Sequence, residues 1–90
     1  MKFKTRIYQT SSINDTIAEN EEFAKEICFA IRRYLNGDWG DTCFSDKHLN
    51  NKALINGERI VALYNTSCGK VFIITEVDRD ITTILFGYEY

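Results

Sequence analysis

The sequence has few of the residues that mark common functional motifs. Its 90 residues include no proline, one histidine and five scattered glycines. Those glycines form neither Gly-x-Gly-x-x-Gly nor Gly-x-x-x-x-Gly-Lys, which excludes the two common glycine-rich phosphate loops. No repeat, low-complexity tract or linker interrupts the chain. Residues 1–90 are therefore predicted to form a single domain, because this length cannot build two hydrophobic cores.

An excess of basic charge is also missing. The formal net charge is −2, from 11 Lys and Arg against 13 Asp and Glu. Lys2, Lys4 and Arg6 form a short basic edge, and Arg32 and Arg33 form a pair. Acidic residues separate these groups, so the chain lacks the basic stripe that is typical of nucleic-acid-binding proteins. The negative charge is equally too small for an acidic DNA mimic, and we expect no direct nucleic-acid binding.

Cysteine is sparse and long apolar runs are absent. Cys28, Cys43 and Cys68 are an odd number with spacings of 15 and 25, which is neither a disulfide framework nor a CxxC ligand pair. We interpret them as reduced thiols, which are typical of a reducing compartment. No apolar signal stretch follows Met1, and no window approaches the roughly 18 apolar residues of a membrane span. The sequence predicts a cytoplasmic protein without a membrane contact.

The overall composition is that of a folded domain with a thin stability margin. A hydrophobic fraction of 44% and a charged fraction of 27% are close to globular averages. A chain of this size buries only about 60–65% of its unfolded surface. A homodimer or a partner surface is therefore a reasonable expectation.

One amphipathic helix is the clearest element in the pattern. Asn20 suits the N-cap because its side-chain oxygen can accept free amides of the first turn, and Glu21 and Glu22 follow where the helix dipole favours negative charge. Asn36 and Gly37 end the helix, since glycine takes the left-handed cap conformation. Apolar residues recur between these limits at helical spacing and form one stripe: Phe23, Ile27, Ala30, Ile31, Tyr34 and Leu35.

A second, shorter helix is predicted after the loop that contains residues 38–41. Ser45 or Thr42 can cap it, and Gly57 ends it after about Asn56. Leu49, Ala53 and Leu54 are the residues predicted to face inward.

Four segments are rich in β-branched and aromatic residues and predict strands: residues 3–8, 59–64, 70–77 and 81–86. The first alternates with charges on one side, which is typical of an edge strand, and the polar residues 9–14 after it predict a turn. Ile13 and Ile17 suit a short helical turn that leads into the main helix. The third is apolar on both faces from Val71 to Ile74, which predicts a central position. We therefore predict an α+β fold: a mostly antiparallel sheet, made of an N-terminal strand plus a three-strand C-terminal meander, packed on one main helix and a second short helix.

The segment Asp-Trp-Gly-Asp at residues 38–41 is the most unusual stretch. A tryptophan between acids in a glycine-containing loop is typical of an anchor at a protein interface, which makes Asp38, Trp39 and Asp41 candidate partner-binding residues. The alternative is that Trp39 folds over the edge of the core while both aspartates accept loop amides. With Asp46 these acids still lack the alternating ligands of a calcium loop, and no metal site is predicted.

Acids, an arginine and hydroxyls also gather around the turn at residues 76–80. Glu76, Asp78 and Arg79 are candidate partner-binding residues, because Arg79 can hold a charged group or a phosphate. The alternative is that Asp78 is an ordinary turn residue and that Glu76 and Arg79 form an exposed pair. For a small ligand such as a nucleotide, bound between subunits, the candidate residues are Tyr64, Arg79, Thr82 and Thr83.

The only residues that suggest catalysis are Cys43 and His48. A thiol nucleophile needs a base within hydrogen-bond reach and a third group to orient that base. No oxyanion-hole signal accompanies Cys43, and a lone histidine on a polar helix is usually solvated. We expect a protein that is not an enzyme and needs no cofactor, with thiol chemistry at this pair as the minor alternative.

Two blocks of the sequence resemble a family of short accessory proteins found on bacterial plasmids and prophages. The first joins Gly-Asp-Trp-Gly-Asp at 37–41 to Asp-Lys at 46–47 and Tyr-x-Thr-Ser at 64–67. The second is Phe-Ile-Ile-Thr-Glu-x-Asp-Arg-x-x-Thr-Thr-Ile-Leu-Phe at 72–86. The resemblance covers residues 20–90 and departs at Cys43 and Phe44, where acidic residues are usual, and at Gly87, where proline is usual.

The resemblance implies a mobile-element setting and assigns no chemistry to individual residues. Compact proteins of mobile DNA most often act by binding a host protein. We therefore expect a non-enzymatic accessory protein that binds a protein of the bacterial host and inhibits a defence system, for example in the manner of an anti-CRISPR. The alternative expectation is an oligomeric small-ligand binder for a nucleotide.

Overall fold

The computed structural model describes residues 3–90, which form a mixed sheet, three α-helices and a final 3-10 turn. The strands are β1 (Arg6–Gln9), β2 (Ile60–Thr66), β3 (Gly69–Thr75) and β4 (Ile81–Phe86). The helices are α1 (Ser11–Glu19), α2 (Glu21–Leu35) and α3 (Phe44–Asn56), and the 3-10 turn is Gly87–Glu89. The predicted α+β class is therefore confirmed.

The sheet has four strands in the order β1-β4-β3-β2. The meander β2-β3-β4 is antiparallel as predicted, and β3 is central. The N-terminal strand pairs in parallel with β4, from Arg6 opposite Ile81 to Gln9 opposite Ile84, so the sheet is mixed. Parallel neighbours need a long connection, and here three helices and two strands lie between them.

A helix of nine residues forms where the sequence predicted a turn followed by a short helical turn at Ile13 and Ile17. Helix α1 begins at Ser11, and the Thr10 hydroxyl caps it by accepting the Ile13 amide at 3.3 Å. Ile13 is fully buried, whereas most of the helix is polar and exposed. Tertiary packing of Ile13, with the partly buried Ile17, outweighs the low helix preference of the serine, asparagine and aspartate residues beside them.

Helix α2 confirms the clearest sequence prediction. The Asn20 side chain caps its start by accepting the Phe23 amide at 3.0 Å, and Glu21 and Glu22 occupy the first turn. The buried residues of the predicted stripe form the centre of the core: Phe23, Ile27, Ala30 and Tyr34.

Helix α3 has the predicted length, and Ala53 and Leu54 pack inward as predicted, but Leu49 does not. Cys43 occupies its N-cap without a side-chain hydrogen bond, so neither Thr42 nor Ser45 serves as the cap. Leu49 was predicted to face inward and is 59% exposed, whereas Asn50 is buried. Asn50 occupies the inner position because its side-chain amide exchanges two hydrogen bonds with the backbone of Val61, at 2.9 and 3.3 Å.

A chain of hydroxyl groups crosses the otherwise apolar core. The Tyr34 hydroxyl lies 2.6 Å from the Thr75 hydroxyl, which lies 2.7 Å from that of Thr82. The Thr82 hydroxyl in turn lies 2.7 Å from that of Thr5. Tyr34, Thr75 and Thr82 are at most 1% exposed, so these bonds replace the water that each group loses on burial. The network links α2 to β3, β4 and the segment before β1.

Replacing Tyr34 with phenylalanine is expected to change how stability depends on pH. Burial raises the pKa of Tyr34 from 10.0 to about 12. The neutral phenol therefore stabilises the fold below the unfolded pKa, and this contribution falls by about 1.4 kcal/mol per pH unit as the pH rises between the two values. Chemical unfolding at neutral pH should show a loss of about 1 kcal/mol in the variant. The deficit should shrink in alkaline buffer; a deficit that is constant with pH would contradict the assignment.

Candidate functional site

Trp39, the proposed interface anchor, lies inside the core. Its side chain is 3% exposed, and its ring meets that of Tyr34 edge-on at 5.4 Å between centroids. The indole Nε1 donates to Asn51 Oδ1 at 2.8 Å, which satisfies its one polar atom. A buried tryptophan cannot meet a partner at the surface, so the expectation of an exposed anchor is corrected.

The loop that carries Trp39 covers the free edge of β2. The Asp41 amide donates to the Leu63 carbonyl at 2.8 Å, and the Leu63 amide donates to the Thr42 hydroxyl at 2.9 Å. The Asn65 amide donates to Asp41 Oδ2 at 2.8 Å, and Asn50 bonds both polar groups of Val61. Five outward-facing backbone groups of this edge strand are thereby paired within the chain, which is one way that proteins prevent strand addition.

Asp38 holds the start of this loop to α2. Its carboxylate accepts from Arg33 Nε at 2.9 Å and from Arg33 Nη2 at 3.1 Å, and also from the Gly40 amide at 3.1 Å. The hydrogen bond from Arg33 lowers the pKa of Asp38. The Tyr64 hydroxyl donates to the Asp38 carbonyl at 2.6 Å, and burial raises the pKa of Tyr64. Asp38 therefore acts here as an internal brace.

The turn at residues 76–80 is likewise engaged within the chain. Glu76 pairs with Arg59 at 3.4 Å, and Asp78 Oδ1 accepts the Asp80 amide at 2.9 Å. Arg79 has a φ of 65° and donates to the carbonyls of Ala53 and Glu58 at the end of α3. Its guanidinium adds a donor to the Ala53 carbonyl, which already accepts the Gly57 and Glu58 amides, and bonds the Glu58 carbonyl beyond the helix end. The arginine is thus used for packing the turn against α3.

The two candidate blocks lie near opposite ends of α3. The 38–42 loop precedes the start of α3. Arg79 of the 76–80 turn bonds the carbonyls of Ala53 and Glu58, near the end of that helix. A helix of 13 residues separates its ends by about 20 Å. The two blocks are therefore separated by roughly the length of α3.

The four residues of the ligand-binding alternative also lie apart. Tyr64 is 2% exposed, Thr82 is fully buried in the hydroxyl chain, and Arg79 is bound to α3. Thr83 points to the opposite face of β4 from Thr82, because side chains alternate along a strand. Within one copy of the chain, these residues do not line a common site.

The cysteines and the histidine occupy separate exposed positions. Cys43 Sγ lies 3.6 Å from Ser45 Oγ, and no hydrogen bond joins Cys43 to His48 within residues 3–90. Cys68 Sγ accepts from Asn20 Nδ2 at 3.4 Å. Cys28, on α2, is exposed as well. The described part of the chain contains no group of three or more His, Cys, Asp or Glu arranged to hold a metal ion.

The second face of the sheet is the surface that sequence reasoning missed. Helices α1 and α2 pack on one face, against a core cluster that includes Ile60, Ile73 and Ile84. Neither of these two helices covers the other face, which we name the open face; α3 lies beside it at β2, and Tyr90 packs on Phe72 there with 4.9 Å between ring centroids. Register and side-chain alternation place these residues on it: Tyr8, Val61, Leu63, Phe72, Ile74, Ile81, Thr83 and Leu85.

The open face continues into a groove beside α3. The groove has a volume of about 510 Å³, and Leu63 and Phe72 form part of its floor. Leu49 of α3 and Tyr90 line its sides, and both are exposed, at 59% and 60%. Asp46 is the one acidic residue that lines it. The groove and the open face together form a continuous surface that is mainly apolar and carries aromatic rings.

The sequence does contain a signal for this surface. Each meander strand has apolar residues at positions of both parities, as in Ile60, Val61, Ala62 and Leu63. Such runs are typical of strands that are covered on both faces. Helices α1 and α2 cover only one face, and the surplus apolar residues lie on the open face, where Ile74 is nevertheless only 4% exposed.

The fold and this surface define an α+β domain with a four-stranded mixed sheet that is covered by helices on one side. Comparisons with protein-family models, curated proteins and solved structures give no match for this chain. Among residues 3–90, no helix has the length and apolarity that crossing a membrane requires.

Proposed function

We propose that this protein acts by binding another protein through its open face and the adjoining groove. The observation that carries the proposal is a sheet with an apolar, aromatic-bearing face that neither α1 nor α2 covers. Tyr8, Leu49 and Ile81 are between 41% and 59% exposed on this surface. Exposed apolar surface that is continuous and bordered by polar residues is typical of protein interaction sites.

The chemistry of the groove favours a protein partner over a polar small ligand. Its lining is mainly apolar, and its one arginine, Arg59, is already paired with Glu76 at 3.4 Å. A phosphate-bearing ligand needs free cationic or amide donors, and Arg79 is committed to backbone carbonyls. Aromatic and aliphatic side chains with few charges resemble the centre of a protein interface.

The partner that we propose is a cytoplasmic protein of a bacterial host, with inhibition of a defence system of the CRISPR type as the consequence. This part of the proposal is supported by the resemblance of residues 20–90 to accessory proteins of plasmids and prophages. It is also supported by three exposed thiols, which suit a reducing compartment. Binding by steric contact needs no catalytic group, and the interface alone would carry the activity.

The test pairs two substitutions on the same helix. Leu49 lines the groove and is 59% exposed, whereas Ile55 is 86% exposed and lies outside it. Bacteria with an active CRISPR system would express wild-type, Leu49→Lys or Ile55→Lys protein, and the efficiency of plasmid or phage restriction would be measured. We expect wild type and Ile55→Lys to relieve restriction and Leu49→Lys to lose about tenfold or more of that relief, the effect of about 1.4 kcal/mol of binding energy.

The same variants separate a lost interface from a lost fold. Both exchange an exposed aliphatic side chain for lysine, so equal unfolding midpoints are expected for the two proteins. Equal relief by Leu49→Lys and Ile55→Lys would remove the groove from the proposal. Failure of the wild-type protein to alter restriction, with soluble folded protein present, would overturn the inhibitor function.

A further inference from the structure

The two edges of the sheet differ in whether their backbone groups are paired. At β2, the 38–42 loop and Asn50 occupy the free edge. At β1, the Arg6 and Thr10 amides donate inward to Asp80 and Ile84, at 3.0 and 3.1 Å. Alternate residues of a parallel strand bond its neighbour, so Tyr8 also bonds inward, and the amides of Ile7 and Gln9 point outward without a bond to any residue among 3–90.

The exposed edge of β1 is able to pair with itself. An antiparallel pair centred on Tyr8 places Ile7 of each copy opposite Gln9 of the other copy. Residues whose amide and carbonyl both point outward form the hydrogen-bonded pairs of such a ladder. The pairing therefore yields four backbone hydrogen bonds across a two-fold axis. It requires no change in β1, which has no proline and no bulge.

The charges along β1 favour the antiparallel arrangement. Arg6 begins the strand and meets Asp80 only in an exposed contact at 3.4 Å, which leaves guanidinium donors available. At the other end, Thr10 Oγ1 donates to Glu89 Oε1 at 3.0 Å and holds that carboxylate beside the strand. With the axis at Tyr8, Arg6 of one copy lies opposite Thr10 of the other, within reach of its Glu89 carboxylate. Two symmetric opposite-charge pairs result.

Gln9 gives a second, independent observation. Its side-chain Oε1 is buried and has no hydrogen-bond partner within residues 3–90. Buried polar atoms without a partner are costly, and each one calls for an explanation. In the antiparallel pair the two Gln9 side chains are diagonal neighbours, at a separation of about 7–8 Å between backbones. Rotation of the two side-chain amides lets each donate to the other.

We infer that the occupant of the β1 edge is a second copy of this chain, joined as an antiparallel β1–β1 dimer. The two four-stranded sheets then become one sheet of eight strands. Tyr8 of each copy meets its counterpart at the axis, on the side of the open face. The inference goes beyond the proposed function, because it rests on backbone groups and charges at the strand edge, not on the groove.

The first test measures association of the full chain and of a proline variant. Sedimentation equilibrium over a wide concentration range should show the wild type as a reversible dimer. Gln9→Pro removes an outward amide that the monomer does not use, and proline is accepted at such edge positions. We expect this variant to be monomeric at every concentration, with an unfolding midpoint close to that of the wild type. A monomeric wild type, or a dimeric Gln9→Pro protein, would overturn the inference.

A second pair of variants tests the position of the axis and does not depend on the proline. Tyr8→Lys and Tyr8→Glu each place like charges opposite one another, and each alone should weaken dimerisation about tenfold or more. Mixing the two should restore a dimer that contains one copy of each. Val77→Lys, at a 64% exposed site outside the strand, should dimerise like the wild type. Absence of the mixed dimer would exclude an axis at Tyr8.

Amide exchange distinguishes edge pairing from packing of two open faces. In the dimer the Ile7 and Gln9 amides should be protected at high protein concentration and exchange rapidly on dilution. The Arg6 and Thr10 amides donate to the Asp80 and Ile84 carbonyls of the same chain, so they should be protected at both concentrations. Rapid exchange of Ile7 and Gln9 in a sample that sediments as a dimer would contradict β1 pairing. Leu49→Lys leaves β1 unchanged. The binding role of the groove and dimerisation through the β1 edge can therefore be tested independently.

Discussion

Replacing Gly40 with alanine is expected to lower the free energy of unfolding by about 2–5 kcal/mol, the largest loss among the substitutions considered. Gly40 has a φ of 64°, a conformation that strains any residue with a Cβ. An added Cβ would lie 2.4 Å from Tyr64 Cδ1 and 2.9 Å from the Leu63 carbonyl oxygen. The Tyr64 ring is buried and its hydroxyl is bonded to Asp38, so it cannot move aside without breaking that bond.

Gly57→Ala is the matched control for this substitution. Gly57 has a similar φ of 76°, but an added Cβ there would meet no atom within 4 Å. Its cost should be limited to the left-handed conformation, about 1–2 kcal/mol. Chemical unfolding of both variants separates the two terms. Equal losses for Gly40→Ala and Gly57→Ala would mean that the contact with Tyr64 is not a steric constraint.

The second large effect is expected for Arg79→Ala, with a loss of about 2–3 kcal/mol in the free energy of unfolding. The guanidinium donates to the carbonyls of Ala53 and Glu58, and the methyl group of alanine cannot form those hydrogen bonds. The ends of α3 and of the β3–β4 turn would then lose their shared contact. Amide exchange in the last turn of α3 should rise together with the loss of stability, because that turn is what the arginine holds.

Two further variants isolate the guanidinium. Arg79→Gly loses the same hydrogen bonds but relieves a φ of 65°, so it should be about 1 kcal/mol more stable than Arg79→Ala. Arg59→Ala removes an arginine of the same region whose pair with Glu76 is about half exposed, and its cost should be below about 1 kcal/mol. A cost for Arg79→Ala no greater than that for Arg59→Ala would refute the role of Arg79 at the helix end.

Local rules accounted for much of the fold. Asn20 and the stripe from Phe23 to Tyr34 determined α2, because capping and helical spacing act within one segment. The meander followed from β-branched runs, and the bounds of β4, Ile81–Phe86, are as predicted. The end of α3 at Gly57 followed from the left-handed conformation that glycine takes without strain.

The features that sequence reasoning missed depend on contacts between distant segments. Helix α1 forms because Ile13 packs into a core built from other elements. Asn50 replaces Leu49 on the inner face of α3 because the edge of β2 offers backbone groups that only a polar side chain can bond. The parallel pairing of β1 with β4 leaves no local mark in either segment.

The candidate sites were predictable only in part. The sequence identified residues 38–41 and 76–80 as unusual, and it also offered their structural alternatives. The side chains of Trp39 and Arg79 are suited to binding a partner. They are equally suited to positions inside the fold, Trp39 in the core and Arg79 at a helix end. Only the structure shows that the Trp39 indole bonds Asn51 and that the Arg79 guanidinium bonds the Glu58 carbonyl. The open face escaped notice because an exposed sheet face and a covered one have the same apolar pattern.

The pairing of β1 with β4 has a consequence for synthesis in the cell. Arg6 pairs with Ile81, and the ribosome must therefore add 75 residues after Arg6 before its partner has been synthesised. At about 5–20 residues per second this takes about 4–15 s. During that interval the first strand has no neighbour, while the helices and the β2–β3 hairpin can already collapse. The nascent chain should therefore be most accessible to chaperones and proteases until its last strand leaves the exit tunnel.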